Sequence, residues 1–298
     1  MGVRIETETG SEAIRAAGWM MGAVAALTSM AVAGREVSFA LDTFEIMAYR
    51  SIAGAALLAV ILSARGAPAW PRLRRPGLHL SRNLAHFTAQ NLWFYAIISL
   101  PLAQVFALEF TAPLWVLVLS PLILGERLTR PRALAALLGF AGILLVAQPG
   151  AAPLSPALLA AAGCALGFAF TYIFTKKLTA QVDTIEILWW MTVSQTVFGL
   201  VCALIDGEMA LPSAQSLPWI AVIAAAGLSA HYCITNALRR APAMVVMPFD
   251  FLRLPLIALI GYLAYDEPVG LAVVVGAALI LGGNYISLRA DARRSPRA

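Results

Sequence analysis

Asp42-Thr43-Phe44-Glu45-Ile46 recurs 141 residues later as Asp183-Thr184-Ile185-Glu186-Ile187. The same offset carries Gly22 onto Gly163, Pro71 onto Pro212, Pro101 onto Pro242, Val105 onto Val246, Phe110 onto Phe251 and Glu126 onto Glu267. It also sets Asp250 opposite Glu109, with the charge kept. No gap interrupts this register, so the chain reads as two related halves, 1–149 and 150–298.

What the halves are made of decides where they live. Hydrophobic residues form 60% of the 298-residue chain and charged residues 12%, with a mean hydropathy of +0.80. A soluble domain runs at about 45–50% apolar and about 25% charged, and a soluble chain of this length cannot bury so much apolar surface. A transmembrane helix needs about 20 apolar residues. Ten such windows follow one another: 16–34, 43–63, 79–99, 102–123 and 131–148 in the first half, then 154–175, 184–205, 216–237, 243–264 and 268–288 in the second. Their length excludes barrel strands. The expected fold class is an all-α integral membrane protein of ten transmembrane helices.

Ala31-Val32-Ala33 resembles a signal-peptidase site, but Glu6, Glu8 and Glu12 precede it in place of a basic cluster. The offset also maps 18–34 onto the internal span 159–175, so 16–34 is expected to be a retained helix. Cys164, Cys202 and Cys233 all fall inside spans and read as packing residues. No metal or cofactor site is expected.

Of the 21 basic residues, 18 fall on one side of this arrangement, Arg82 counted among them, while the opposite connections hold only Arg35. The positive-inside rule then places both termini in the cytoplasm. With five spans per half, the second half enters the membrane upside down relative to the first. Inverted repeats of this kind are characteristic of secondary transporters, whose sites lie near the midplane between repeats.

Ten spans in two five-span halves, with Gly125-Glu126 and Asp266-Glu267 preceding short Gly/Ala-rich fifth and tenth helices, resemble the drug/metabolite transporter superfamily and its EamA-type members. The stretch from Ala112-Pro113 through Gly125-Glu126-Arg127-Leu128 to Gly139-Phe140-Ala141-Gly142 carries the resemblance best. Some relatives of this type export aromatic amino acids. The resemblance therefore implies a bacterial inner-membrane exporter of amino acids, with drugs, nucleosides, sugars or polyamines as alternative cargo for the same fold. The partners implied are a small-molecule substrate and the lipid bilayer, with protons left open, no nucleic acid, and a monomer or weak homo-oligomer.

Ionisable side chains within spans are costly and mark function. Asp250 and Arg253, three apart in span nine, read as an ion pair or as cavity residues. Glu109 lacks a helical partner of its own, since Ala112 stands where Arg253 has its counterpart. Arg50 is expected to bridge to it, or else Glu109 carries a proton or a gate. Asn83, His86, Gln90 and Phe94 fall along one face of span three, and the offset sets His231 opposite Gln90, with Thr235 one turn on. Trp115 and Phe168 are mid-span aromatics suited to stacking on a flat solute, and His79 joins the gating candidates. An integral membrane enzyme or assembly subunit is the reading from another class. The chain lacks a His-Glu-x-x-His, a Gly-x-Ser-x-Gly and a phosphate-cradling glycine loop.

Overall fold

The structure is a computed structural model describing residues 3–37, 41–66, 70–100, 102–147, 155–205, 209–256, 259 and 270–293. Among them all regular structure is helical. The elements are α1 (Val3–Val37), α2 (Thr43–Ala64), α3 (Pro76–Ser99), α4 (Leu102–Glu109), α5 (Ala112–Ile123), α6 (Arg130–Ala147), α7 (Pro156–Thr179), α8 (Thr184–Ala203), α9 (Leu217–Arg240) and α10 (Ala243–Val246). A 3₁₀ segment (Met247–Leu252) and α11 (Leu271–Arg293) complete the order. By length and composition α2, α7, α8 and α9 are each able to cross a membrane unaided, and Ala112–Ile123 and Leu271–Ile286 are shorter apolar helical stretches.

Two expected spans are not continuous helices. Span four breaks at Phe110-Thr111 into α4 and α5. Pro113 cannot donate a backbone hydrogen bond to residue 109, and the Thr111 hydroxyl donates to the Leu108 carbonyl at 2.7 Å. Span nine begins as the single turn of α10 and tightens into the 3₁₀ segment at Pro248. The first helix also runs well beyond its expected window. At 1.5 Å per residue its 35 residues reach about 52 Å, longer than the roughly 30 Å of bilayer hydrocarbon.

The helices pack in four main pairs: α1 on α9, α3 on α7, α2 on α8 and α6 on α11. Small residues set how closely they approach. A Cβ added at Gly199 would lie 2.9 Å from the backbone of Ala48, joining α8 to α2, and one at Gly142 would lie 2.5 Å from the Gly276 carbonyl, joining α6 to α11. Backbone contact at this range is open only to glycine and maximises dispersion where apolar lipid supplies no hydrophobic drive.

The duplicated motif does two jobs. Asp42 and Glu45 form a capping box at the start of α2, with Glu45 Oε2 accepting from the Asp42 amide at 2.9 Å. Glu45 also accepts from the Ala210 amide at 2.5 Å, which pins the segment leading into α9. Asp183 makes no side-chain cap. Glu186 instead accepts from the Arg74 amide at 2.8 Å and holds the segment leading into α3.

The α6–α11 contact gives a paired test. A Cβ at Gly283 would meet the Ala135 carbonyl at 2.8 Å, whereas one at Gly282 meets nothing within 4 Å. Gly283→Ala is expected to destabilise by about 1–3 kcal/mol through overpacking. Gly282→Ala is expected to be neutral or to stabilise by up to about 1 kcal/mol through helix propensity. Thermal unfolding of the detergent-solubilised protein measures both.

Candidate functional site at the centre of the bundle

A cavity of about 40 Å³ lies enclosed between the helices. Leu27 and Met30 of α1 face it, with His86, Gln90 and Trp93 of α3. Phe168 and Tyr172 come from α7, and His231 and Ile234 from α9. Glu109 ends α4 and Arg253 follows the 3₁₀ segment, so both charges enter at the breaks in the two discontinuous spans.

Those charges form one cluster. Arg253 Nη2 donates to Glu109 Oε1 at 2.6 Å and to Asp250 Oδ2 at 3.0 Å, and its Nε lies 2.9 Å from Asp250 Oδ1. The second Glu109 oxygen accepts from Trp93 Nε1 at 2.6 Å. The guanidinium also sits over the Phe110 ring, 4.8 Å from its centroid. All three charged residues are buried. The cluster thus sets one guanidinium between two carboxyl groups.

The expected Glu109–Arg50 bridge is therefore overturned. An arginine has five donor N–H groups in a fork, so Arg253 serves Asp250 and Glu109 together. Arg50 points elsewhere, and its Nη1 donates to the Met30 sulfur at 3.8 Å.

Above the cluster, His86 and His231 meet edge to face with ring centroids 4.7 Å apart, and Phe168 lies 6.1 Å from His86. Neither His86 nitrogen has a hydrogen-bond partner among the described residues. Arg82 stands behind His231. It donates from Nε to Thr175 Oγ1 at 3.2 Å and from Nη1 to Asn83 Oδ1 at 3.0 Å, and its Nη2 lies 3.4 Å from His231 Nδ1. At 1% exposure Arg82 is a core residue, which corrects its assignment to the cytoplasmic loop charges. The signal was available: Arg82 lies well inside α3, one turn before His86.

Other expected cavity residues lie elsewhere. Trp115 is 41% exposed on the outer face of α5. Asn83 points at α8, donating to the Trp190 carbonyl and Ser194 Oγ. Phe94 packs edge-on against Trp93, and Asp250 lies behind Arg253. Thr235 and His79 are buried with unpartnered side-chain polar atoms, away from the cavity wall. Trp93 and Tyr172 are the polar aromatics that the helical-face argument did not single out.

A second, open pocket of about 880 Å³ lies at the basic ends of α3, α7 and α9, lined by Arg75, Glu126, Lys176, Lys177 and Arg240 among others. Glu126 accepts from the amides of Ala243 and Met244 at 2.8 and 3.1 Å, and Lys176 donates to the Leu238 and Ala241 carbonyls at 2.6 and 2.8 Å. These bonds fasten the α9–α10 corner, whose Ala241 and Pro242 line the open pocket.

Removing Arg253 strands two buried carboxylates. Arg253→Met is expected to cost about 3–5 kcal/mol. Adding Glu109→Gln should restore part of it, giving a double-variant cost below the sum of the singles. A thermal-unfolding cycle reads the coupling, and additivity would rule out the cluster.

The sequence model of the EamA-like transporter family matches residues 14–148 and again residues 155–289. A riboflavin transporter of Rhizobium johnstonii is 30% identical over 223 residues, covering 75% of this chain and 74% of that protein. A riboflavin transporter of Vibrio cholerae is 31% identical over 213 residues, 70% of each chain. An S-adenosylmethionine uptake transporter of Rickettsia conorii is 22% identical over 264 residues, 89% of each chain. One crystal structure shares the fold, with a TM-score of 0.81 at 21% identity, over 94% of this chain and 98% of the other. The chain therefore belongs to the EamA-like transporter family, as a multi-pass integral membrane protein that transports and does not catalyse.

Proposed function

We propose that this protein is a secondary transporter for a small metabolite with a flat ring system, working by alternating access through the cavity between α1, α3, α7 and α9. One observation carries the reading. Rings from three helices, Trp93, Phe168, Tyr172, His86 and His231, surround a small central cavity that also meets a buried ion cluster. Aromatic walls suit a flat solute, and polar groups at mid-bundle fix its orientation. At about 40 Å³ the cavity has room for a few waters at most and none for a ring-bearing solute, so the conformation described is a closed one.

An inverted arrangement of the two halves supports the mechanism. Under the 141-residue offset the α1–α9 contact exchanges with the α7–α3 contact, while α2–α8 and α6–α11 each map onto themselves. Two conformations of similar energy follow when halves of this kind exchange shapes. The basic end, with its open pocket, is then the cytoplasmic face of a bacterial inner membrane.

The cargo follows the relatives better than the expectation from sequence. Their named solutes are riboflavin and S-adenosylmethionine, both with fused heteroaromatic rings. Amino-acid export has no support among them, although an aromatic amino acid also brings a ring to the same walls. Counterflow into proteoliposomes with labelled riboflavin, S-adenosylmethionine and tryptophan separates these. Uptake of one of the first two is expected, with Phe168→Ala raising its half-saturation concentration about tenfold for the lost stacking. Uptake of tryptophan alone would return the amino-acid reading, and exchange of none of them counts against a ring-bearing cargo.

A further inference from the structure

Every buried carboxylate near the centre of the bundle is matched, but two buried guanidinium groups are not. Glu109 and Asp250 share Arg253, and Glu109 also takes the Trp93 N–H. Arg82, 1% exposed, has only neutral partners in Thr175, Asn83 and His231. Arg50, 7% exposed, has only the Met30 sulfur. No carboxylate of the described residues lies within ion-pair distance of either. A buried charge without a counter-charge is retained in a membrane protein for a functional partner.

Both groups stand one side chain behind the cavity wall. Met30 and His231, which they touch, line the cavity. Between them His86, 2% exposed, presents two nitrogens with no partner. We infer that the transported solute carries a negatively charged group, a carboxylate or a phosphate, and that Arg82 and Arg50 receive it with His86 and His231. This rests on the transport reading above.

The geometry suits arrival of such a group. Arg82 is anchored through Nε to Thr175 while its Nη2 faces His231 in the wall. Arg50 gives up only a thioether, a weak acceptor, to turn inward. A guanidinium fork matches carboxylate and phosphate alike. The open pocket presents Arg75, Lys176 and Lys177 beside Glu126, with Arg240 paired to Glu12, a net basic mouth that concentrates anions. The Arg253 cluster contributes Glu109 and Arg253 to the same cavity, with Arg253 already held by two carboxylates.

Thermal unfolding of the solubilised full chain at constant ionic strength tests this without knowledge of the cargo. Benzoate, inorganic phosphate and neutral benzamide are the probes. At roughly ten times its dissociation constant, benzoate or phosphate is expected to raise the midpoint by about 2–4 °C, and benzamide to leave it unchanged. Benzoate alone assigns a carboxylate, and phosphate alone a phosphate. Arg82→Gln and Arg50→Gln should abolish the rise, with Arg82→Lys keeping part of it and exposed Lys177→Gln all of it. A wild-type protein indifferent to both anions overturns the inference, whether or not the variants fold. So does a rise that survives both glutamine variants and vanishes in Lys177→Gln, which places the anion in the open pocket. Transport of neutral riboflavin by an anion-indifferent protein would leave the transport reading standing. Anion stabilisation with no transported metabolite would do the reverse.

Discussion

The buried carboxylates at the centre of this bundle take their counter-charge from the protein itself, because neither lipid nor bulk water reaches them. At low dielectric two unit charges a few ångströms apart interact many times more strongly than in water. That constraint explains why Glu109, Asp250 and Arg253 converge although Glu109 and Arg253 are 144 residues apart in sequence. At the end of α4 and in the 3₁₀ segment the chain bends, and the side chains of both segments point at one centre. Pro113 and Pro248 remove backbone donors where a continuous helix would have needed them.

Much of the fold was legible because the bilayer reads composition. Apolar run length placed α2 and α8 to within a residue or two of Thr43–Ala64 and Thr184–Ala203. The same measure is blind to hydrogen-bond geometry, and so it drew spans four and nine as straight rods. Their prolines were the available signal, and an apolar window average dilutes them. The duplicated motif shows a second limit. Asp42 and Asp183 share their sequence context, yet only Asp42 caps its helix, while Glu45 and Glu186 each take a backbone amide from the other half of the chain.

The site was legible in its residue types and less so in its pairings. His86, Gln90, Glu109, Phe168, His231 and Arg253 do meet at one cavity. Depth along the span suggested Arg50 for Glu109, but depth carries no azimuth, and Arg50 faces α1. Arg253 pairs with Asp250 and still reaches Glu109, because one guanidinium carries five donors. Arg82 was hidden by a rule that works on average: basic residues near helix ends orient a membrane protein, and this one lies deep enough to be walled in by α7 and α9. Trp115 satisfies every sequence criterion for a stacking residue and faces outward, because hydropathy does not say which side of an apolar helix meets lipid.

The two ends of the solute path are held by different kinds of bond, and that difference bears on how the bundle moves. At the centre the contacts join side chain to side chain and depend on chemical identity. At the basic end Glu126 and Lys176 grip backbone amides and carbonyls of the α9–α10 corner. Those backbone groups are free only because α9 ends at Arg240 and α10 begins at Ala243, with Pro242 between them. Once parted, those orphan donors and acceptors have water at the open pocket to turn to. The Arg253 cluster is buried and joined by charged side chains, so parting it costs more. In the proposed cycle the wet end of the bundle is therefore the easier place to open.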